Sequence, residues 1–264
     1  MSKKVEIRQL TSTKELTRVQ TLETAIWKMP PIPVNQTLTA INNGGIVLGA
    51  FDQQKLVGFL YSFAGFDGKK THLCSHMLGI LPSYRKGGLG VKMKLKQAEI
   101  AKSIGYNVIT WTFDPLESLN AHLNLHKLGA VGVSYMENHY GEMTDSLNEG
   151  LPSDRILIKW YLKEEHRKFN KGTFNPKKVL LDIDDDSSPY ITMEVSEDLL
   201  CRGGQFLVAI PENFQTIKSE KIELAKTWRF KTRKIFNILF NNGYHAFDLI
   251  RNQPKQMSYY IFGK

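Results

Sequence analysis

The stretch Leu78-Gly79-Ile80-Leu81-Pro82-Ser83-Tyr84-Arg85-Lys86-Gly87-Gly88-Leu89-Gly90 runs from an apolar strand through a basic, glycine-rich turn into a helix. Such a junction leaves backbone N–H groups unpaired at the positive end of a helix dipole, where they can hold a phosphate or pyrophosphate. Glycine suits the turn because a Cβ would block close approach and disfavour the positive φ angles of an anion nest. Pro82 stops the strand, and Arg85 and Lys86 add positive charge. The turn lacks the Gly-Lys-Ser/Thr ending of a Walker loop, and Gly88-x-Gly90 only begins like G-x-G-x-x-G. The competing reading is a tight turn that holds nothing.

Downstream, the pattern predicts a helix from Gly88 to Ser103 ended by Gly105. Val91, Leu95 and Ala98 form its expected apolar row, with Leu89, Met93, Ile100 and Ile104 beside it. Lys92, Lys94, Lys96 and Lys102 decorate the rest. Val108 to Phe113 reads as a strand, Asp114-Pro115 breaks the chain, and a helix follows from Ser118 to Leu128, closed by Gly129. Ile156 to Leu162 is a further strand. Upstream, Val5 and Ile7 mark a short strand, and Thr11 or Ser12 can cap a helix from Lys14 to Trp27. Pro30, Pro31 and Pro33 force a loop, and Leu38 and Ile41 lie on a short helical turn. A hairpin then joins Ile46–Phe51 to Leu56–Ala64, and His72–Leu81 is the strand that enters the glycine turn. Strands alternating with helices over short loops argue for an α/β layered sheet.

The chain has 264 residues, 42% hydrophobic and 23% charged, an ordinary globular balance. No apolar run reaches membrane-spanning length, and Glu6 and Arg8 interrupt any leader-like stretch, so a cytoplasmic protein without membrane attachment is expected. Two distant cysteines, Cys74 and Cys201, fit free thiols in a reducing compartment. The net charge of +9 suits solubility and attraction of a polyanionic cosubstrate. The basic helix around Lys226, Arg229, Lys231, Arg233 and Lys234 lacks any accompanying nucleic-acid motif, so a nucleic-acid partner is not expected. A polar, basic run from Lys163 and an acidic, turn-rich patch from Asp182 to Pro189 suggest a linker over 164–189. Asp182-x-Asp184-x-Asp186 begins like a calcium loop but lacks its Gly and Glu, and no metal is expected. Beyond it, strands at Tyr190–Val195, Phe206–Ile210, Tyr244–Ile250 and Tyr259–Phe262 flank a helix from Ser219 to Asn241. Ile222, Ala225, Trp228, Ile235, Phe236 and Leu239 make its core-facing stripe. The expected division is 1–163, a linker, and a smaller α+β domain or extension over 190–264.

The order Arg85-x-x-Gly88-x-Gly90 resembles the acyl-CoA pyrophosphate loop of the GNAT superfamily of N-acetyltransferases. The resemblance covers about residues 4 to 163. Further pieces, including His76-Met77-Leu78-Gly79, Trp111-Thr112-Phe113-Asp114-Pro115-Leu116, Lys127-Leu128-Gly129-Ala130 and Leu151-Pro152-Ser153-Asp154-Arg155, are similar to a branch of bacterial acetyltransferases with a C-terminal extension. The resemblance implies a mixed sheet flanked by helices and an acetyl-CoA, or other short acyl-CoA, cosubstrate. It implies direct acyl transfer to an amine, on a small molecule or a peptide, and is compatible with a homodimer. A catalytically silent acyl-CoA sensor is the alternative.

On that resemblance Arg85, Lys86, Gly87, Gly88, Leu89 and Gly90 hold the pyrophosphate, and Leu78, Gly79 and Ile80 run beside the pantetheine arm. Asn120 matches an asparagine that binds the pantetheine amide, and Asn124, one turn on, can face the site. The strand carries no carboxylate to act as base. His72, Cys74 and His76 alternate along it, and His76, nearest the thioester end, has a suitable intrinsic pKa; a structural histidine is the rival reading. The alternation also suggests zinc, but a fourth ligand is missing. Aligning on Gly129 puts Leu125 where the family carries a general-acid tyrosine, and Tyr140 is the substitute candidate. Asp114, Glu142, Asp145, Asp154 and Arg155 could recognise a polar amine, although Asp114 before Pro115 also suits a turn and Asp154-Arg155 a local ion pair.

Overall fold

The computed structural model describes residues 5–85, 87–143, 149–163, 169, 171–184 and 186–264. The chain divides into two compact units, Met1–Trp111 with Tyr161–Arg167, and Thr112–Trp160 with Lys168–Lys264.

The first unit is built from β1 (Val5–Gln9), α1 (Thr13–Trp27), α2 (Val34–Asn42), β2 (Ile46–Asp52), β3 (Lys55–Phe66), β4 (Thr71–Ile80), α3 (Leu89–Ser103) and the start of β5 (Val108–Phe113). Ser12 begins α1 with a capping box: its hydroxyl accepts from the Glu15 N–H, and the Glu15 carboxylate accepts from the Ser12 N–H. Strands β1 to β4 pair antiparallel in chain order, and β4 pairs parallel with β5. One sheet face, carrying Val47, Phe51, Phe59 and Tyr61, packs on Leu16, Val19 and Leu22 of α1. Strand alternation puts Ser62 on the opposite face.

The second unit contains α4 (Ser118–Ala121), a π-helical turn (His122–Lys127), β6 (Val131–Met136), β7 (Arg155–Tyr161), β8 (Val179–Ile183), β9 (Pro189–Ile191), α5 (Glu197–Cys201), β10 (Phe206–Pro211), α6 (Phe214–Glu220), α7 (Ile222–Asn241), β11 (His245–Asn252) and β12 (Met257–Gly263). Its strands run in the order β7-β6-β11-β12-β10-β8-β9. Strand β12 is buried along its whole length. Phe236 of α7 packs with Tyr260 and Phe262 of β12, both at 5.1 Å between ring centres, and Tyr135 of β6 lies at 5.7 Å.

Several sequence expectations change here. Val179–Ile183, inside the stretch read as linker, is a strand with Val179, Leu180 and Leu181 buried. Strand β6 was not foreseen, β9 stops at Ile191, and the helix expected from Ser219 is two helices meeting at Lys221. Ile222 at that junction is exposed, and Arg229 and Thr232 join Ala225, Trp228, Ile235, Phe236 and Leu239 on the buried face of α7. The helix expected over 118–128 changes from α to π winding at His122 before Gly129 ends it in a left-handed conformation, φ +64°. Among the described residues no helix is long and apolar enough to cross a membrane.

Candidate functional site

The glycine turn is tied down at both ends. Leu81 N–H donates to Val57 O (3.0 Å), and the Tyr84 hydroxyl donates to Asp52 Oδ2 on β2 (2.6 Å). Arg85 lies at the surface and its Nε donates to Ile80 O (3.0 Å). Gly87 and Gly88 adopt φ +105° and +76°, angles that favour glycine, and α3 then begins with no side-chain cap and no acidic residue in its first turn. The first helical bond recorded from the cap runs from Lys92 N–H to Gly88 O, which leaves the N–H groups of Leu89, Gly90 and Val91 without intrahelical acceptors. A Cβ at Gly87 or Gly88 would meet no atom within 4 Å, so the cradle opens outward. Leu89 is buried and anchors the helix start. Lys86 lies outside the described residues. Free N–H groups, a helix dipole and Arg85 together suit a phosphate-bearing ligand.

Strand β4 leads to this cradle along an open edge. Its pairing with β5 consists of Leu73↔Ile109 and Cys74↔Thr110. From Ser75 to Ile80, about 20 Å of strand, β4 has β3 on one side and, among the described residues, no paired strand on the other. An extended ligand arm bearing amides can add to such an edge as a strand does. Leu78 and Ile80 are half-buried on this stretch. Gly79 is glycine for a packing reason: a Cβ there would stand 2.6 Å from Phe59 Cε1 and 2.9 Å from Trp27.

The β3–β4 register shifts between Tyr61↔Met77 and Ser62↔Ser75, which makes His76 the extra residue of a bulge. Bulges re-aim side chains, and the exposed His76 has its ring edges beside Tyr61 (6.0 Å) and Phe63 (5.8 Å). Partial desolvation lowers its pKa, so the imidazole is neutral near pH 7 and able to accept a proton. His72 lies over Gly65, where a Cβ would meet its Nε2 at 2.5 Å, and burial pushes the Cys74 thiol up. Tyr61 also lines a depression of about 460 Å³ with Pro33, Asn35, Gln36, Thr39 and Ala40. The proline-rich wall is held by Glu23, whose carboxylate accepts from Ile32 N–H (3.2 Å), and by Gln20, which donates to Ile32 O (2.9 Å). Tyr61 therefore touches both the depression and the candidate base.

The apolar row expected on α3 lies beside the core-facing strip, with Val91 and Ala98 half-buried. Leu89, Met93, Lys94, Gln97 and Ala101 face the core, while Leu95 is 52% exposed. Lys94, read as a surface lysine, is 4% exposed. Its Nζ donates to Ser75 Oγ (2.8 Å), to which Gln97 Nε2 also donates (3.0 Å), and lies 3.8 Å over the Trp111 ring. Burial lowers its pKa to about 7. The signal was present in the i, i+4 series Leu89, Met93, Gln97, Ala101, which a count of apolar residues alone passes over.

Asn120, Asn124 and Tyr140 belong to the second unit. Asn120 is exposed, whereas Asn124 is buried in the π-helical turn beside the buried Leu125. Tyr140 is 49% exposed; its hydroxyl lies 3.0 Å from Thr112 Oγ1 and its ring 5.2 Å from the Arg155 guanidinium. Three residues proposed for amine recognition are occupied within this unit. Asp114 pairs with Arg229 (2.5 Å) and lies 3.7 Å from Arg155. The fully buried Asp154 carboxylate accepts from the Tyr135 hydroxyl (2.6 Å), Asn138 N–H (2.9 Å) and Arg233 (2.7 and 2.9 Å), while Arg155 Nη1 donates to the Asp154 backbone O (2.8 Å). Glu142 is exposed, and Asp145 lies outside the described residues. The same pairing removes Arg229 and Arg233 from the basic face of α7. Asp184 closes a turn by accepting from Asp186 and Ser188 N–H groups. Among the described residues no His, Cys, Asp and Glu cluster is arranged to hold a metal ion.

Residues 12–130 match the sequence profile described as Acetyltransferase (GNAT) family. No curated protein sequence matches the chain significantly. Among solved structures, the chain is similar to the ribosomal-protein-S18-alanine N-acetyltransferase from Escherichia coli, with a TM-score of 0.50 at 15% identity over 63% of this chain and 100% of that one. It is equally similar to a chain in the NatC complex bound to Gag peptide and CoA, with a TM-score of 0.50 at 13% identity over 61% of this chain and 99% of that one. At such identities the likeness is one of fold.

Proposed function

From the match of residues 12–130 to the GNAT acetyltransferase family profile, we propose that the protein is an acyl-CoA-dependent N-acyltransferase that moves an acetyl or other short acyl group directly to an amine. The observation that carries the reading is the outward-opening Gly87–Gly88 cradle joined to the free edge of β4. The cradle fits a diphosphate, and the edge fits an extended arm with two amides. Acyl-CoA supplies a thioester whose carbonyl carbon an amine can attack.

The chain's own residues supply the rest. Arg85 and the N–H groups of Leu89 and Gly90 hold the diphosphate, with Lys86 adding charge from the same turn. The backbone from Leu78 to Ile80 aligns the arm, and Asn120 is proposed to bind its amide. The depression beside Tyr61 receives the acceptor; its lining carries no charge, which favours a small or flat amine over a polycation. His76 accepts the proton that the amine loses. Asn124 and Tyr140 stay candidate polar partners, Tyr140 being the more accessible.

Calorimetric titration with acetyl-CoA, beside Gly88→Glu, tests the reading. A glutamate in the nest repels the diphosphate, so at least a hundredfold weakening is expected, about 3 kcal/mol. No wild-type binding at millimolar ligand refutes the assignment. The sensor reading draws support from Leu125, buried where the family's tyrosine is expected. An enzyme releases free CoA when offered a suitable amine, and a sensor does not.

A further inference from the structure

We propose that the Lys94 ammonium holds and protonates the thiolate that departs when the acyl group is transferred, an inference that rests on the acyl-CoA reading above. Strands β4 and β5 part just beyond the Cys74↔Thr110 pair. The next residues along them are Ser75 and Trp111, and Lys94 touches both. Its amine thus occupies the apex of the opening where the free edge of β4 begins. An arm anchored by its diphosphate at the start of α3, and laid from Ile80 towards Ser75, brings its sulfur end to that apex.

Among the described residues nothing anionic faces the amine. Ser75 of β4, Gln97 of α3 and Trp111 of β5 are neutral, and burial keeps the Cys74 thiol protonated. Among the described residues no carboxylate pairs with Lys94. A buried ammonium without a counter-ion is costly, and burial has already drawn its pKa to about 7, close to the value a proton donor needs at neutral pH. A sulfur that gains negative charge supplies the missing anion in a poorly solvated place, where the attraction is strongest. The tyrosine that the family resemblance expects for this task is replaced by Leu125, which has no proton to give.

The step balances as follows. The acceptor nitrogen bonds to the acyl carbon, and the carbon–sulfur bond breaks with its electron pair on sulfur. Lys94 gives one proton to that sulfur, which leaves as the CoA thiol. His76 takes one proton from the acceptor nitrogen, and solvent then relieves His76 and restores Lys94.

Thiolate absorbance in the ultraviolet, followed against pH for CoA bound to the protein, tests this without any acceptor. The desulfo-CoA complex is the blank, so Cys74 and Cys201 cancel. The bound thiol is expected to ionise at least one pH unit below free CoA, a tenfold shift. Lys94→Met abolishes the shift, and Lys94→Arg, which keeps the charge, retains it. Desulfo-CoA affinity reports whether each variant keeps an intact site. A bound thiol that ionises like free CoA, or a shift that survives Lys94→Met, overturns the proposal. If neither CoA nor desulfo-CoA binds, the acyl-CoA reading fails and this inference with it; if both bind and no shift appears, this inference alone falls.

Discussion

Replacing Lys94 by Met gives the protein a different stability profile against pH. The amine titrates at about 7 in the folded chain and at 10.5 as an ordinary lysine. Between those values the unfolded chain binds the extra proton, so the stability of the wild type rises with pH across the window. Below about pH 7 both states are protonated and the whole burial cost is present; above 10.5 it is gone. The full cost is roughly 5 kcal/mol, from a shift of about 3.5 units at 1.36 kcal/mol each. Between pH 7 and pH 9 the wild type should gain about 2 kcal/mol from this group. Methionine fills a similar volume without a charge, so Lys94→Met should be more stable at pH 7 and nearly flat over the same range. Urea unfolding of both proteins at pH 7, 8 and 9 measures the difference. A variant that gains stability with pH as steeply as the wild type would refute the burial argument, because the slope would then belong to other groups.

Other outcomes follow from single contacts. Gly79→Ala should destabilise by roughly 2 kcal/mol through the clash with Phe59 and Trp27; denaturant midpoints report it, and a neutral result would mean that β4 can slide away from α1. Asp154→Asn should cost about 3 kcal/mol by leaving Arg233 partly unpaired, and restoring neutrality with Arg233→Met should recover part of the loss in a double-mutant cycle. Ser12→Ala should cost about 1 kcal/mol by opening the α1 capping box, visible as a lower thermal midpoint with an unchanged far-ultraviolet spectrum.

The glycine turn was legible because its chemistry is local: proline, two cations and the glycines act within a few residues of one another. The helix start at Thr11 or Ser12 and the helix stop at Gly129 were readable for the same reason. The inward face of α3 was not, because Lys94 and Gln97 are buried by long-range bonds to Ser75 that periodicity does not see. His76 was readable as a candidate base, but its place in a bulge depends on the register with Tyr61, a property of two strands. Asp154 and Arg155 looked like an ion pair because they are neighbours in sequence, yet the Asp154 carboxylate is claimed by Arg233, far along the chain, and Arg155 donates to the Asp154 backbone O. Strand β8 was masked by its setting: Val179, Leu180 and Leu181 are a short apolar island between basic and acidic runs.

The compact units also bear on how this polypeptide can be shortened. A fragment ending at residue 163 keeps every residue matched by the family profile. It would strip residues 112–160 of the partners they use within their own unit: Ala246 beside Gly132, Arg233 on Asp154, Arg229 on Asp114, and the Tyr260 hydroxyl on Pro115 O. Asp154 would lose its arginine, Asp114 would lose the nearer of its two, and β6 would lose β11 from its edge. The C-terminal hundred or so residues are therefore closer to a keystone than to an appendage, and a gene fragment trimmed to the familiar domain should yield aggregate rather than a smaller working protein.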